Sequence, residues 1–190
     1  MILEKIQYFD WLNEPIDVGF NEKGLEVTTR PFTDFWQNSD CNINKNDGHL
    51  FAKDEKGDFS LIVKWSFAQI RTSAQCGAMI YSDEKNWVKA GLLSTNPFSL
   101  QVGCVVADNG SSDWSIHDVD EETKNLWFKI VRKGKDLAIF YSLDGTRFNQ
   151  VRLLHHSNIL PIIKIGAYAC SPKESSFCCT LEDIDIKKPL

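Results

Sequence analysis

The chain has 190 residues, 43% hydrophobic and 25% charged, with 21 Lys and Arg against 26 Asp and Glu for a net charge of −5. These are ordinary values for one globular domain, and a chain this long buries about 70% of its unfolded surface without staples. The acidic balance argues against a nucleic-acid partner, which requires clustered Lys and Arg, and no apolar run is long enough to span a membrane, so neither kind of partner is expected.

The amino-terminal "MILEKIQYFDWLNEP" lacks the basic segment, apolar run and small-residue cleavage site of a secretory signal, and a cytoplasmic location is expected. A strand is predicted at 25–29, and "TDFWQNSD" (33–40) then follows with neither a helical nor a strand rhythm. Further strands are predicted at 59–67, 76–82, 87–94, 98–107, 126–133, 137–143, 148–154, 162–170 and 177–186. Turn chemistry separates these runs: "NEKG", "DEKG", "SDEKN", "RKGKD" and "LDGT". Asp144-Gly145 suits a type I′ hairpin turn, and 118–125, "DVDEETKN", reads as one helical turn. Ten short alternating runs without a linker or repeat predict an all-β, two-sheet antiparallel sandwich, with residues 1–190 forming one domain.

Six cysteines have no C-x-x-C spacing, and five lie in apolar strand-like runs, where a free thiol acts as a small buried hydrophobe. Neither disulfides nor a metal site is expected. No cofactor is expected either.

Alternation divides the strand at 87–94 into Val88, Ala90 and Leu92, which read as core, and a mixed face of Trp87, Lys89, Gly91 and Leu93. The preceding strand sends Gln75, Gly77, Met79 and Tyr81 to one side. Paired through "SDEKN", the two strands would present Gln75, Tyr81, Trp87 and Lys89 together, with the "TDFW" and "SSDW" loops as a rim. Aromatic rings beside amide and charged groups suit a carbohydrate or similar small hydroxyl-rich ligand: rings cover its C–H faces and polar side chains fix its hydroxyls.

The ordered series "WLNEP", "TDFW", "NDGHL", "GDFSLIV", "QCGAMIYSDEKNWVKAG", "SSDWS", "YSLDGTRFNQVR" and "IGAYACSP" resembles a domain-of-unknown-function family that includes the fungal regulation-of-enolase protein. That resemblance covers roughly Trp11 to Ile186 and implies a concanavalin A-like lectin/glucanase jelly roll with a concave ligand face. It implicates Asp34, Trp36, His49, Gln75, Trp87, Lys89, Asp113, Trp114 and Arg152 in ligand binding. Two positions depart from the family pattern: Ala74 and Leu93 stand where it usually has carboxylates.

Three functions are open at this level. Non-catalytic carbohydrate recognition is favoured, with Trp36, Trp87 and Trp114 as stacking surfaces. A glycan-directed hydrolase or lyase would need an acid/base pair from Asp34, His49 and Asp113. "LEDIDI" offers none, because alternation sends Glu182 away from Asp183 and Asp185. A protein-interaction module regulating a metabolic enzyme is the third, since Trp and Arg also anchor protein interfaces.

Overall fold

The computed structural model describes residues 2–37, 43–68, 73–93, 99–120 and 122–188. One short helix, α1 (Ile2–Ile6), precedes the strands β1 (Asp10–Leu12), β2 (Asp17–Phe20), β3 (Leu25–Thr28), β4 (Phe35–Gln37), β5 (Asn44–Asn46) and β6 (His49–Lys56). They continue with β7 (Phe59–Ser66), β8 (Gln75–Asp83), β9 (Asn86–Leu93), β10 (Leu100–Asp108) and β11 (Ser111–Val119). The last are β12 (Asn125–Lys133), β13 (Asp136–Ser142), β14 (Asn149–His155), β15 (Ile162–Cys170) and β16 (Cys178–Lys187).

Two seven-stranded antiparallel sheets form a jelly-roll sandwich. The first runs β1-β6-β15-β8-β9-β10-β11 and the second β14-β13-β12-β7-β16-β3-β2, while β4 and β5 make a separate hairpin. Period-two alternation builds the layer between the sheets. Cys76, Ala78 and Ile80 of β8 and Val88, Ala90 and Leu92 of β9 face Leu61, Val63 and Trp65 of β7 and Leu126, Phe128 and Ile130 of β12. Each fully buried Val, Leu, Ile or Phe side chain there contributes about 1.5–3 kcal/mol. Trp65 also ties the layers together, its Nε1 donating to the Gly77 carbonyl at 3.0 Å. Among the described residues no helix is long and apolar enough to cross a membrane.

A second, smaller core lies on the outer face of the first sheet. Leu50, Met79, Tyr81, Trp87, Leu93, Val105, Tyr168 and Cys170 are buried there, with Phe35 in the same cluster. Residues 33–37 and 43–48, which carry the paired strands β4 and β5, cross this face as a strap and insert Phe35. Glycine makes room at the contact: a Cβ on Gly48 would strike the Phe35 ring. The register Tyr168, Gly77, Gly91, Gly103 crosses four adjacent strands. A Cβ on Gly91 would collide with the Tyr168 hydroxyl and the Cys76 carbonyl, so the phenol lies across bare backbone.

All ten predicted runs fall on strands, although Ser94 and Phe98 lie outside the described residues. Several local expectations are corrected. "SSDW" belongs to β11, an edge strand, and "FWQ" to β4. Of residues 118–125, Asp118 and Val119 end β11, the Thr123 N–H donates to the Asp120 carbonyl at 3.1 Å, and Asn125 begins β12, in place of a helical turn; Glu121 lies outside the described residues. The 143–148 connection is longer than a type I′ turn: Gly145 has φ 75° but Asp144 does not take positive φ. The Asp144 carboxylate instead accepts from the backbone N–H groups of Thr146 and Arg147, which holds its pKa well below the usual carboxylate range. In β16 a bulge between Leu181 and Asp183 turns Glu182 outward to pair with Lys64, so strict alternation fails there. Cys76, Cys104, Cys170, Cys178 and Cys179 are free thiols, and Cys41 lies outside the described residues.

Candidate functional site

Beside the strap, a hollow of about 380 Å³ opens on the outer face of the first sheet. Asp34, Trp36, Ser73, Gln75, Lys89, Leu93, Val105, Trp114, Pro172 and Lys173 line it. Its floor is polar and ordered. Lys89 is only 1% exposed, and its Nζ donates to Asp34 Oδ1 and Gln75 Oε1, each at 2.8 Å. Asp34 Oδ1 also accepts from the Phe35 N–H at 2.8 Å. Cys170 Sγ lies 3.6 Å from Asp34 Oδ1 and 3.5 Å from Gln75 Oε1, and burial pushes this thiol's pKa well up. The Lys89 ammonium lies 5.8 Å from the Trp87 ring and 5.7 Å from the Tyr168 ring. Tyr168 is fully buried with no hydrogen-bond partner for its hydroxyl among the described residues, and burial raises its pKa well above 10.0.

The rim is aromatic. Trp36 and Trp114 meet edge to face, with centroids 6.2 Å apart and planes at 85°. Trp114 is 46% exposed. Strand pairing explains its orientation: opposite Val105 it faces the hollow, whereas Asp113, opposite Val106, faces the second sheet.

Of the nine side chains expected at a shared site, Asp34, Trp36, Gln75, Lys89 and Trp114 meet here. Trp87 does not line the hollow. At 1% exposure it is sealed under the strap, with the Phe35 ring 6.0 Å away at 63°, and has no face free for stacking. His49 is on the opposite face of the sheet and fully buried. Its Nε2 accepts from the Arg30 N–H at 2.9 Å, which leaves Nδ1–H to donate to the Asn13 carbonyl at 2.8 Å. Burial lowers its pKa below 6.5, outweighing that second bond. Arg152 and Asp113 form an ion pair across the edge of the sandwich, with Nη2 to Oδ2 at 2.9 Å. The acid/base pair proposed for a hydrolase therefore does not assemble: Asp34, His49 and Asp113 occupy three different environments.

Ala74 and Leu93 also separate. Ala74 belongs to the core between the sheets and Leu93 to the cluster on the outer face, so carboxylates at these positions would not form a pair. Among the described residues, no group of three or more His, Cys, Asp or Glu side chains is placed to hold a metal ion.

Sequence reasoning missed Ser73, Val105, Pro172 and Lys173. Alternation along β10 would have indicated Val105; the others sit on connections with no periodic signal. A larger hollow, about 760 Å³, lies on the second sheet among Asn21, Glu26, Phe67, Lys124, Phe177 and Thr180. Among the described residues it has no buried charged side chain, and the smaller hollow has the more defined chemistry.

Fold and recess together define a jelly-roll sandwich protein with an indole-rimmed polar hollow on one sheet face. The chain belongs to the family described as "Protein of unknown function (DUF1349)", whose sequence model matches residues 11–189. It is 26% identical over 181 residues to Regulation of enolase protein 1 of Saccharomyces cerevisiae (strain ATCC 204508 / S288c), an alignment covering 95% of this chain and 89% of that one. A structure of a functionally unknown protein from Saccharomyces cerevisiae superposes with a TM-score of 0.89 at 24% identity, covering 97% and 98% of the two chains. A carbohydrate-binding module, CBM66 from Bacillus subtilis, gives a TM-score of 0.62 at 12% identity, covering 94% and 95%. A mutant of the GH43 protein BlXynB from Bacillus licheniformis gives 0.73 at 15% identity, with 94% of this chain matching 36% of that one. At these identities the solved structures establish a shared fold.

Proposed function

We propose that the chain acts as one non-catalytic, cytoplasmic recognition domain that binds a carbohydrate or similar neutral, hydroxyl-rich ligand in the hollow beside the strap. The observation that carries this reading is the Asp34–Lys89–Gln75 floor beneath the Trp36–Trp114 rim. An ammonium has three N–H bonds, and two of those on Lys89 go to Asp34 and Gln75. The third donates to a ligand hydroxyl, the Asp34 carboxylate accepts from another, and Trp114 covers an apolar C–H face. Leu93 and Val105 supply the apolar wall. The volume, about 380 Å³, falls near the lower end of the usual range for ligand pockets, roughly 300–1,000 Å³, and suits a ligand of one or two rings. The likeness in fold to a carbohydrate-binding module supports the same reading.

Tryptophan fluorescence titrations with neutral mono- and oligosaccharides test it. Trp114→Ala should reduce affinity about tenfold or more, equivalent to at least about 1.4 kcal/mol, without changing the unfolding midpoint because Trp114 lies half exposed on an edge strand. Unaltered affinity in that variant, or no binding by any neutral sugar, would exclude this site. A protein-interaction role is the second reading, favoured by Ile16, Val18 and Phe20, exposed along or beside edge strand β2. The relative's name, Regulation of enolase protein 1, is consistent with it. Under that reading Val18→Lys, not Trp114→Ala, abolishes complex formation.

A further inference from the structure

Phe32 is a bulky residue in the left-handed backbone region, with φ 62°, and its side chain is 59% exposed. That conformation is disfavoured for a side chain with a Cβ, and this ring is in neither hydrophobic cluster. The surrounding contacts nonetheless fix it. The Phe32 N–H donates to the Lys173 carbonyl at 2.9 Å, and Lys45 Nζ donates to the Phe32 carbonyl at 2.9 Å. Next to it the Thr33 N–H donates to the Ser171 carbonyl at 3.0 Å and Thr33 Oγ1 to the Arg30 carbonyl at 2.7 Å, while Pro31 forms a β-bridge with Ser171.

The clamp and the hollow share a wall. Residues 171–173 hold the Phe32 backbone, and Pro172 and Lys173 from that connection line the hollow; Asp34, two residues after Phe32, contributes to its floor. A strained backbone thus presents a solvent-facing aromatic ring on the chain segment that leads into the floor.

We propose that Phe32 is a second subsite: it stacks on the next ring of an oligosaccharide whose terminal ring occupies the hollow. The assignment rests on the carbohydrate-binding reading above and narrows the ligand class to chains of two or more sugar units. Exposed Lys173 then lies between the two subsites and donates to hydroxyls of the linked rings.

Calorimetric titration of the full chain with matched mono- and trisaccharides of xylose, glucose and fructose tests this, using wild type, Phe32→Asn and Trp114→Ala. Asn tolerates positive φ, so the clamp survives the substitution, and denaturant unfolding should show Phe32→Asn to be at least as stable as wild type. The trisaccharide of the preferred sugar should bind wild type about tenfold more tightly than its monosaccharide. Phe32→Asn should remove that advantage and leave monosaccharide affinity unchanged, whereas Trp114→Ala should weaken both. Equal affinity of the two lengths for wild type, or a length preference retained by Phe32→Asn, would overturn the second subsite while leaving the hollow as a sugar site. Absence of binding by every sugar would overturn both.

Discussion

At the scale of single residues, the Lys89 ammonium governs the recess. It is buried and balanced by one carboxylate and one amide oxygen. Removing one member of a buried ion pair typically costs about 3–5 kcal/mol, because an uncompensated charge remains, whereas replacing both members can be nearly neutral. Asp34→Asn preserves the acceptor for the Phe35 N–H but removes the negative charge. It should destabilise by about 3 kcal/mol in denaturant titrations. Asp34→Asn combined with Lys89→Met should return to within about 1 kcal/mol of wild type. Additive single losses would show instead that the two groups contribute independently and that the pairing is incidental.

At the scale of elements, the strap decides how much of the sheet face remains open. Phe35 fills the space over Tyr81 and Trp87, with centroid distances of 6.3 and 6.0 Å. Phe35→Ala should cost about 3–5 kcal/mol through the cavity it leaves and shift tryptophan emission to longer wavelength as Trp87 gains water. An unshifted emission spectrum would mean that the rest of the strap covers the indole without Phe35. The strap also explains what the sequence could and could not convey. Alternation assigned the faces of β8 and β9 correctly, since each is set by local backbone geometry, and Val88, Ala90 and Leu92 do lie between the sheets. That Trp87 is buried was not legible, because its cover comes from a segment about fifty residues away that has no periodic pattern. β11 was read as a loop for a related reason. As an edge strand it carries Ser111, Asp113, Ser115 and His117 on one face, so the hydrophobic alternation that marks an interior strand is missing. β6 escaped because His49 to Ala52 are buried on both faces and Lys53 to Lys56 then turn polar.

At the scale of the whole molecule, stability should fall in two stages as pH drops, because the unfolded chain binds protons that the folded chain excludes in two separate ranges. His49 joins β6 to the chain just after β1 and just after β3 through the Asn13 carbonyl and the Arg30 N–H, and its neutral tautomer is the one that makes both bonds. Since burial sets its folded pKa below 6.5, the unfolded chain binds a proton between those two values that the folded chain excludes. Stability from this group is therefore complete above 6.5 and is lost as pH falls toward the folded value. Glu55 and Glu182 act at lower pH. Burial raises the pKa of each, but hydrogen bonds from Lys188 and the Lys56 backbone to Glu55, and from Lys64 and Ser66 to Glu182, outweigh it and bring both below 4.5. Their contribution is present above 4.5 and disappears as pH falls through the lower folded values, where Asp144 joins them. Denaturant midpoints measured from about pH 8 down to about pH 3 should thus decline first below pH 6.5 and again below pH 4.5. His49→Asn supplies a donor and an acceptor without titrating, so it should abolish the first decline and retain the second. A wild-type profile flat between about pH 7 and about pH 5 would refute the assignment of a neutral, proton-excluding His49 to the junction between β6 and its neighbouring chain segments.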